Sequence, residues 1–325
     1  MELILEFCQN HNGDENILDK MLESAAGLGA SIVKLQCAFA DDLSFRPIFE
    51  EGTPSGILPI NKRPYSLEYE RMKSLELSFD VLEKFVRRAN EFNLTPCITA
   101  FNYNNISALV DCGFNTIKIA SYDCASDVLL EKCAENFDRL IVSTGATYDF
   151  EIENCAHMLS EIGTNFSLLH CVTLYPTQIS DANISRMTSL RSLCRSVGYS
   201  DHYGRTGSKD VNLLTKVAIH EGAELIERHF TILDTNETKD GPVSIKPADV
   251  FDIQAFCKLT HEGQRLHLNK IDPEWEISLG SAKRQLSIQE LANREYYRGR
   301  FMNPISKDIL GHPVGRYNWE RQIEV

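Results

Sequence analysis

The sequence predicts a (β/α)8 barrel of the TIM type, and two regularities support that prediction. Eight short runs rich in Ile, Val and Leu alternate with longer amphipathic segments over about 260 residues, the usual length of such a barrel. The apolar runs are continuous instead of alternating with polar residues, which is typical of parallel strands covered on both faces. We therefore expect eight parallel strands inside a ring of helices.

The strands are predicted, in chain order, at 3–8, 32–35, 95–100, 116–119, 140–143, 166–170, 197–199 and 225–229. The helices are predicted at 16–27, 78–93, 104–111, 125–136, 150–162, 183–194, 208–220 and 247–260. Ser78 suits a helix N-cap, because its hydroxyl can accept a hydrogen bond from an unpaired N–H of the first turn. Pro247 suits the first turn of the last helix, where the missing N–H costs no hydrogen bond.

An open, doubly wound sheet is the alternative fold. Its dinucleotide-binding form needs a GxGxxG turn after the first strand, whereas here Cys8 is followed by Gln9-Asn10-His11-Asn12-Gly13. The barrel is therefore favoured.

The connection 40–77 interrupts the alternation of strands and helices, and its four prolines with Gly52 and Gly56 predict a long loop. Loops of this length inside compact domains are usually functional, and this one follows the C-terminal end of a strand.

The regular alternation ends near residue 262. We assign 1–262 to the barrel domain and 263–325 to a short, irregular C-terminal extension, which has mixed charge, scattered aromatic residues and no repeat. The extension is too short for a comfortable core of its own. We expect it to pack on the barrel or on a neighbouring subunit.

Composition and charge exclude several classes of protein. The 325 residues include 33 Lys and Arg against 46 Asp and Glu, a net charge of −13, which argues against a nucleic-acid partner. A hydrophobic content of 43% allows a large core and excludes wholesale disorder. No apolar run is long enough to span a membrane, and no basic segment precedes the first apolar run, so neither membrane association nor a signal peptide is expected.

Cysteine usage indicates the compartment. The ten cysteines form no CxxC pair, and several lie inside apolar runs, which is typical of buried, reduced thiols. Because reduced thiols persist in the cytosol, we expect a cytoplasmic protein.

The C-terminal ends of the strands are where such barrels build their active sites. In this chain those ends carry the polar residues Glu6, Lys34, Gln36, Thr99, Lys118, Ser121, Ser143, Thr144, His170, Ser200, His202, Glu227 and His229, with Thr173 and Tyr175 just beyond the sixth strand.

Two lysines inside a barrel, Lys34 and Lys118, are costly to bury unless they face negative charge. One interpretation pairs them with Glu6 or Glu227 in structural ion pairs. The other uses them, with the neighbouring hydroxyl groups, to bind a small phosphorylated acid.

His202 and His229 end neighbouring strands and suit a pair of ligands for a divalent metal, although a single buried histidine is more often structural. We interpret His170 as structural or as a support for the site. The residue types alone thus predict an enzyme that acts on an anionic small molecule, with a metal as a candidate cofactor.

The same residues lie in motifs that resemble the sialic acid synthase (N-acetylneuraminate synthase) family, from Glu6 to about Pro247. In chain order the motifs are Asn10-His11-Asn12-Gly13, Lys34-Leu35-Gln36, Tyr69-Glu70-Arg71-Met72, Leu75-Glu76-Leu77-Ser78, Lys118-Ile119-Ala120-Ser121, Ser143-Thr144-Gly145, His170-Cys171, Tyr175-Pro176, Gly198-Tyr199-Ser200-Asp201-His202 and Glu227-Arg228-His229-Phe230. One such motif would be weak, whereas so many in the right order and spacing are specific.

The resemblance implies an aldol-type condensation of phosphoenolpyruvate with an open-chain, N-acylated amino sugar. The products would be phosphate and a nine-carbon, sialic-type 3-deoxy-2-ulosonic acid. It also implies that His202 and His229 hold a divalent metal, usually manganese, with magnesium or cobalt as alternatives, which polarises the sugar aldehyde.

The resemblance also assigns roles to the other residues. The phosphoenolpyruvate-binding positions match Lys34, Lys118, Thr99, Ser121, Ser143 and Ser200. Glu6 would stabilise the charge that develops at carbon 2 or take a proton there. The remaining substrate-binding positions are Asp123, Thr173, Tyr175 and Glu227, of which Asp123 and Tyr175 would face the sugar.

Several positions depart from the family's pattern on the sugar side. Asp123 stands where relatives that use N-acetylmannosamine carry Glu, and Thr173 stands where some carry Asn. The family's Thr-Pro-Phe is Thr99-Ala100-Phe101 here, and its Gly-Pro-Asp loop is Gly241-Pro242-Val243. The acceptor therefore stays open between N-acetylmannosamine and the diacetamido-trideoxyhexoses that lead to legionaminic- and pseudaminic-type acids.

The family's C-terminal antifreeze-like domain is not recognisable in 283–325. In relatives this domain makes a homodimer by reaching over the partner's site with an arginine. Arg294, Arg298 and Arg300 are the candidate replacements, and the sequence does not choose among them.

Two other functions compete. A Schiff-base lyase would use Lys118 or Lys34 as the nucleophile on a keto acid, which leaves both candidate metal ligands without a role. A non-catalytic relative that binds a sugar or phosphate would explain the altered sugar side. The intact Glu6, lysines and histidines argue against it.

Overall fold

The computed structural model of the chain describes residues 1–54, 56–205 and 210–321. Its centre is a closed barrel of parallel strands in sequence order, with the eighth strand hydrogen-bonded to the first. The strands are β1 (Glu2–Cys8), β2 (Ile32–Cys37), β3 (Thr95–Ala100), β4 (Thr116–Ile119), β5 (Arg139–Ser143), β6 (Phe166–Cys171), β7 (Ser196–Asp201) and β8 (Leu225–His229). The predicted (β/α)8 barrel and its strands are confirmed.

The helices of the barrel are α1 (Glu15–Ala26), α2 (Tyr65–Lys73), α3 (Phe79–Glu91), α4 (Ile106–Asp111), α5 (Asp127–Asn136), α6 (Asp149–Ile162), α7 (Arg186–Leu190), α8 (Leu213–His220) and α9 (Pro247–Cys257). Helix α7 is shorter than the predicted 183–194: Asn183 has a φ of 47° and cannot belong to a right-handed helix, and the helix ends at Leu190. The predicted start of α8 at 208 lies outside the described residues.

Helix α2 lies in the connection 40–77, which was predicted to be a loop. The helix buries a single residue, Met72, so it has no apolar stripe that sequence periodicity could detect. It begins directly after Pro64, whose ring restricts the backbone at the point where the helix starts.

Side-chain alternation along the strands divides the barrel interior into an apolar end and a polar end. The apolar end is filled by Ile4, Ile32, Cys97, Ile141, Leu169 and Leu225. Successive residues of a strand point to opposite faces, so the residue two positions further on shares the inward face. Those next inward residues are Glu6, Lys34, Thr99, Ser143, Cys171 and Glu227. The apolar layer therefore supports a polar layer at the C-terminal ends of the strands.

The C-terminal extension is more regular than the sequence predicted. It contains α10 (His261–Ile271), α11 (Ile288–Tyr297) and an antiparallel pair, β9 (Asn303–Lys307) with β10 (Pro313–Arg316). The predicted domain boundary at 262 falls within α10, which packs against α8. As expected, the extension packs on the barrel. The Met302 N–H donates to the Asp42 carbonyl at 2.8 Å, and the Ser44 N–H to the Arg300 carbonyl at 2.9 Å.

Two further observations concern the thiols and membrane association. All ten cysteines are free, and eight of them are buried. In the described part of the chain, every helix is too short or too polar to cross a membrane.

His170 on β6 is a buried, uncharged histidine of the barrel. Its Nε2 lies 2.7 Å from the Ala182 carbonyl oxygen and its ring lies beside that of Tyr199. Burial, assisted by Arg284, lowers the pKa of His170 from 6.5 to about 3. Because an unfolded histidine titrates near 6.5, the unfolded chain binds more protons than the folded one between these pH values. The stability that depends on neutral His170 is complete above pH 6.5 and is lost as the pH falls towards 3.

We expect His170→Gln to flatten the acid limb of the stability curve, because glutamine can keep a hydrogen bond to Ala182 but cannot be protonated. Between pH 6.5 and about 3, the free energy of unfolding of the variant should fall less steeply than that of the wild type. The difference in slope should be up to about 1.4 kcal/mol per pH unit. Urea unfolding across a pH series measures this slope. His157→Gln, at an exposed histidine, is the control. Equal slopes in the wild type and His170→Gln would contradict the prediction.

Candidate active site

The C-terminal ends of the strands open into a cavity of about 380 Å³. The residues for which the family resemblance implies a catalytic or substrate-binding role all line this cavity: Glu6, Lys34, Thr99, Lys118, Ser121, Asp123, Ser143, Thr173, Tyr175, Ser200, His202, Glu227 and His229. Of the other polar residues predicted at strand ends, Gln36 lines it as well, whereas Thr144 and His170 do not. Residues far apart in the chain are thus brought together in one place. Their individual roles in catalysis stay predictions.

Lys34 lies in a buried cluster of charges on the cavity wall. Its ammonium group forms an ion pair with Glu6, donates to Thr99 Oγ1 at 3.0 Å and lies 4.0 Å from Glu227 Oε1. Burial lowers the pKa of Lys34, and Glu227 opposes that shift.

Lys118 completes the cluster from the opposite side of Glu227. Its Nζ donates to Ser143 Oγ at 2.6 Å and lies 4.0 Å from Glu227 Oε2. Although burial opposes ionisation, Lys34 and Lys118 hold the pKa of Glu227 at about 2. The lysines therefore form the ion pairs with carboxylates that a structural role predicts. They also lie on the cavity wall, as the binding of a small phosphorylated acid requires.

The turn after β5 brings hydroxyl groups close to these charges. The Gly145 N–H donates to Ser121 Oγ at 3.1 Å. A Cβ atom at Gly145 would lie 2.5 Å from the Cys171 sulfur and 2.7 Å from a methyl carbon of Thr173. Only glycine lets the backbone pass so close, which explains the Ser143-Thr144-Gly145 motif in physical terms.

The two candidate metal ligands, His202 and His229, lie on adjacent strands with ring centroids 5.5 Å apart. His202 Nδ1 lies 2.9 Å from the Val172 carbonyl oxygen, which leaves Nε2 for a ligand. The Nδ1 atom of His229 is buried and has no hydrogen-bond partner among the described residues. Burial lowers the pKa of both imidazoles, that of His202 to about 3, so both are in the neutral form that binds metals.

A second group of donor atoms surrounds His229. Ligand atoms of Cys8, His229 and Asp240 all lie within 4.8 Å of one another. Sulfur, imidazole and carboxylate are donors that divalent transition metals accept, so the residues present fit such a metal. Sequence reasoning missed Cys8, which it treated as a buried thiol at a strand end, and Asp240, which lies in a loop without a recognisable motif.

The mouth of the cavity is basic. Arg63, Arg71, Lys239 and Arg300 line it, and the sequence analysis had singled out only Arg300 as a candidate. Glu68 lies 2.8 Å from Arg300, 3.1 Å from Arg71 and 3.8 Å from Arg63, measured between side-chain oxygen and nitrogen atoms. Partial burial and the guanidinium groups of Arg71 and Arg300 lower the pKa of Lys239. These five side chains carry a net positive charge.

Of the three arginines named as candidates, Arg294, Arg298 and Arg300, the last lies at the cavity. Arg294 and Arg298 instead bind Glu151 at the start of α6, and Arg294 also donates to the Ala146 carbonyl at 2.7 Å. The location of Arg300 therefore distinguishes it from the other two.

Asp123, expected to face the sugar, is partly engaged by the chain itself. Its carboxylate accepts hydrogen bonds from Ser126 at 2.8 Å and from Asn318 of the extension at 2.9 Å. Burial raises the pKa of Asp123. Asn318 also donates to the Phe101 carbonyl at 2.8 Å, so the extension is part of the cavity wall.

Asp201 and Arg228 form a fully buried ion pair, and each directly precedes one of the two histidines in the sequence. Asp201 also accepts hydrogen bonds from Thr215 at 2.6 Å and from the Tyr203 N–H at 2.8 Å. Since Asp201 precedes His202 and Arg228 precedes His229, the pair holds the ends of β7 and β8 in register.

We expect Asp201→Asn to destabilise the protein by about 3–5 kcal/mol, because it leaves the Arg228 charge buried without its partner. Urea unfolding measures the change. Glu15→Gln, which removes a carboxylate from an exposed ion pair, is the control and should cost less than about 1 kcal/mol. If the two variants lose the same stability, the Asp201–Arg228 pair does not hold this part of the barrel.

Comparisons with known proteins agree on one family. The sequence profile of the NeuB family matches residues 21–262. The N,N'-diacetyllegionaminic acid synthase of Campylobacter jejuni is 30% identical over 260 residues, which cover 76% of this chain and 72% of that protein. The human N-acetylneuraminate-9-phosphate synthase is 25% identical, with 90% of this chain and 75% of that protein covered.

A solved structure shows the same architecture. The N-acetylneuraminic acid synthetase of Leptospira borgpetersenii, crystallised with citrate, superposes with a TM-score of 0.67 and 27% identity. The match covers 85% of this chain and 91% of that one.

Proposed function

The chain belongs to the NeuB family of sialic acid synthases, and we propose that it condenses phosphoenolpyruvate with an open-chain, N-acylated amino sugar. The products are phosphate and a nine-carbon 3-deoxy-2-ulosonic acid. The observation that carries the proposal is the single cavity in which two buried lysines, hydroxyl groups and two neutral histidines face one another.

Lys34 and Lys118 provide the positive charge for phosphoenolpyruvate. Thr99 and Ser143 each accept a hydrogen bond from one of these ammonium groups, at 3.0 Å and 2.6 Å. Because a lone pair of each hydroxyl is occupied by the lysine, its hydrogen is free to point towards a phosphate or carboxylate oxygen. Charge-assisted bonds of this kind are the strong ones, and they suit an anion with three acceptor oxygens.

We assign to Glu6 the role of acting on carbon 2 of phosphoenolpyruvate. As carbon 3 forms a bond to the sugar aldehyde, positive charge develops at carbon 2, and the carboxylate beside Lys34 stabilises it. A water oxygen then bonds to carbon 2 and gives a proton to a carboxylate. The bond from carbon 2 to the phosphate oxygen breaks last: phosphate leaves with the electron pair, and the hydroxyl group that remains loses its proton to become the ketone. The two protons of the water thus end on the former aldehyde oxygen and on phosphate.

His202 and His229 would hold the divalent metal, which when bound supplies a Lewis acid for the sugar aldehyde. The contact of His202 Nδ1 with Val172 fixes the orientation of its ring. Tyr175 packs over His202 with a centroid distance of 4.1 Å.

The positive charge at the mouth of the cavity bears on whether the acceptor sugar is neutral or negatively charged. A neutral sugar gains nothing from the excess positive charge around Glu68, whereas a sugar phosphate is attracted to it. We therefore infer an acceptor with a negative group at the end remote from the aldehyde, in line with the relatives named 9-phosphate synthases.

The proposed activity is tested by phosphate release from phosphoenolpyruvate with a panel of amino sugars, first with manganese and then with excess chelator. We expect release that depends on one sugar and stops with chelator. His202→Ala and His229→Ala should each abolish release and leave the fold intact by circular dichroism, whereas His157→Ala, at an exposed site, should not change it. Full activity in either cavity variant would remove the metal assignment.

The same panel tests the acceptor. N-acetylmannosamine 6-phosphate should give a KM roughly tenfold or more below that of N-acetylmannosamine, since a difference of about 1.4 kcal/mol is tenfold. Lys239→Met should raise the KM for the phosphorylated sugar alone, and Lys62→Met, at an exposed lysine of the 40–77 connection, should not. Equal KM values for the two sugars would exclude a phosphate subsite at the mouth.

A Schiff-base lyase is the competing function, and the lowered pKa of Lys34 is the observation in its favour. Borohydride reduction with a keto acid distinguishes the two. A covalent adduct on Lys34 or Lys118, together with activity that survives chelator, would replace the synthase proposal.

A further inference from the structure

Cys8 ends β1 in an unusual backbone conformation. Its φ is 48°, in the left-handed region that glycine adopts easily and that costs other residues free energy. The register between β1 and β2 shifts between Glu6 and Cys8, so the strand is irregular at this point. Irregularities of this kind next to active sites re-aim a side chain. A backbone outlier beside a candidate site is a reason to ask what its side chain does.

The thiol of Cys8 points at polar partners instead of an apolar core. Its Sγ donates to Asp240 Oδ2 at 2.8 Å and accepts a hydrogen bond from Gln36 Nε2 at 3.1 Å. Asp240 Oδ2 in turn lies 4.0 Å from His229 Nδ1. Sulfur, carboxylate and imidazole atoms therefore converge on one point at the cavity wall.

His229 gives an independent sign that a ligand belongs there. The residue is 6% exposed, and its Nδ1 has no hydrogen-bond partner within the described ranges. A buried polar atom without a partner is costly, and a metal ion is one way to satisfy it.

We propose that the Cys8 thiolate and the Asp240 carboxylate are ligands of the divalent metal that His229 binds. This inference rests on the proposed function, in which a metal serves the same cavity, and it adds two ligands that the pair of histidines does not include. On binding, the S–H bond of Cys8 breaks, the metal–sulfur bond forms and the proton leaves to solvent. The Gln36 amide that donates to the sulfur would keep it oriented.

A sulfur ligand changes the expected metal. Thiolates favour zinc, cobalt and iron, whereas magnesium prefers sites made of oxygen atoms alone. The family resemblance instead implied manganese, with magnesium or cobalt as alternatives. With Cys8 as a ligand, zinc and cobalt should bind more tightly than magnesium and manganese.

Cobalt titration of the full chain tests the proposal without any assay of turnover. One equivalent of Co²⁺ should produce a sulfur-to-cobalt charge-transfer band in the near ultraviolet. Cys8→Ser should abolish the band and weaken cobalt binding by roughly tenfold or more, since even residues that only orient a metal ligand affect affinity by about that factor.

A second variant at Cys8 and a control variant at another cysteine complete the test. Cys8→Gly removes the sulfur and relieves the left-handed backbone, so it should also lose the band while its urea midpoint is unchanged or higher. Cys194→Ser removes a partly exposed thiol that contacts the Ser196 carbonyl, and it should keep the band.

Cobalt bound without a band in the wild type, or a band that persists in Cys8→Ser and Cys8→Gly, would overturn the proposal. So would a failure of the wild type to bind cobalt at all. A different result would contradict the proposed synthase function. It is a protein that shows the cobalt band but releases no phosphate from phosphoenolpyruvate with any sugar or metal.

Discussion

Glu6, Lys34, Lys118 and Glu227 are buried together at the C-terminal ends of four strands, and the free energy of burying each charge depends on the others. Lys34 contacts Glu6, while Glu227 lies 4.0 Å from both lysines. Such a cluster can exist only where strands meet in a fixed register, because a shift of one residue would turn these side chains to the opposite face. The apolar layer beneath them sets that register. The cavity and its hydroxyl groups are therefore a consequence of how the barrel interior is packed.

The C-terminal extension completes the cavity from within the same chain. Phe301 stacks on Phe101 with a centroid distance of 4.8 Å, and Tyr297 stacks on Tyr122 at 5.0 Å. Between these rings the chain brings Arg300 to the mouth, where it meets Glu68 of α2. The long connection 40–77 and the extension are thus in direct contact beside the cavity, and both contribute charged side chains to this region.

The site is divided by charge and by donor type. Two lysines lie among the strands, arginines and Lys239 surround the mouth, and the neutral histidines with Cys8 and Asp240 lie along one side. Under the proposed function, the lysines would hold one anionic group and the basic mouth another, with the metal near the histidines. This arrangement suits the joining of two small molecules, because each is oriented before the new bond forms.

Local patterns in the sequence determined the barrel and most of the polar residues of the site. Continuous apolar runs identify buried parallel strands, and the strand ends then give residues such as Lys34, Lys118 and His229 without any knowledge of contacts. The motifs of a known family added the reaction. These inferences succeeded because each depends on residues that are close together in the chain.

Only the tertiary structure decided the remainder, because it depends on residues far apart in the chain. Cys8 and Asp240 are 232 positions apart, and neither gives a local signal of the contact between their side chains. Helix α2 lacks an apolar stripe of its own and buries only Met72, so its pattern indicates a loop. The choice of Arg300 over Arg294 and Arg298 likewise depends on which side chain the packing leaves at the cavity and which two it pairs with Glu151. A sequence shows which side chains are present, whereas their meeting at one point is a property of the closed barrel.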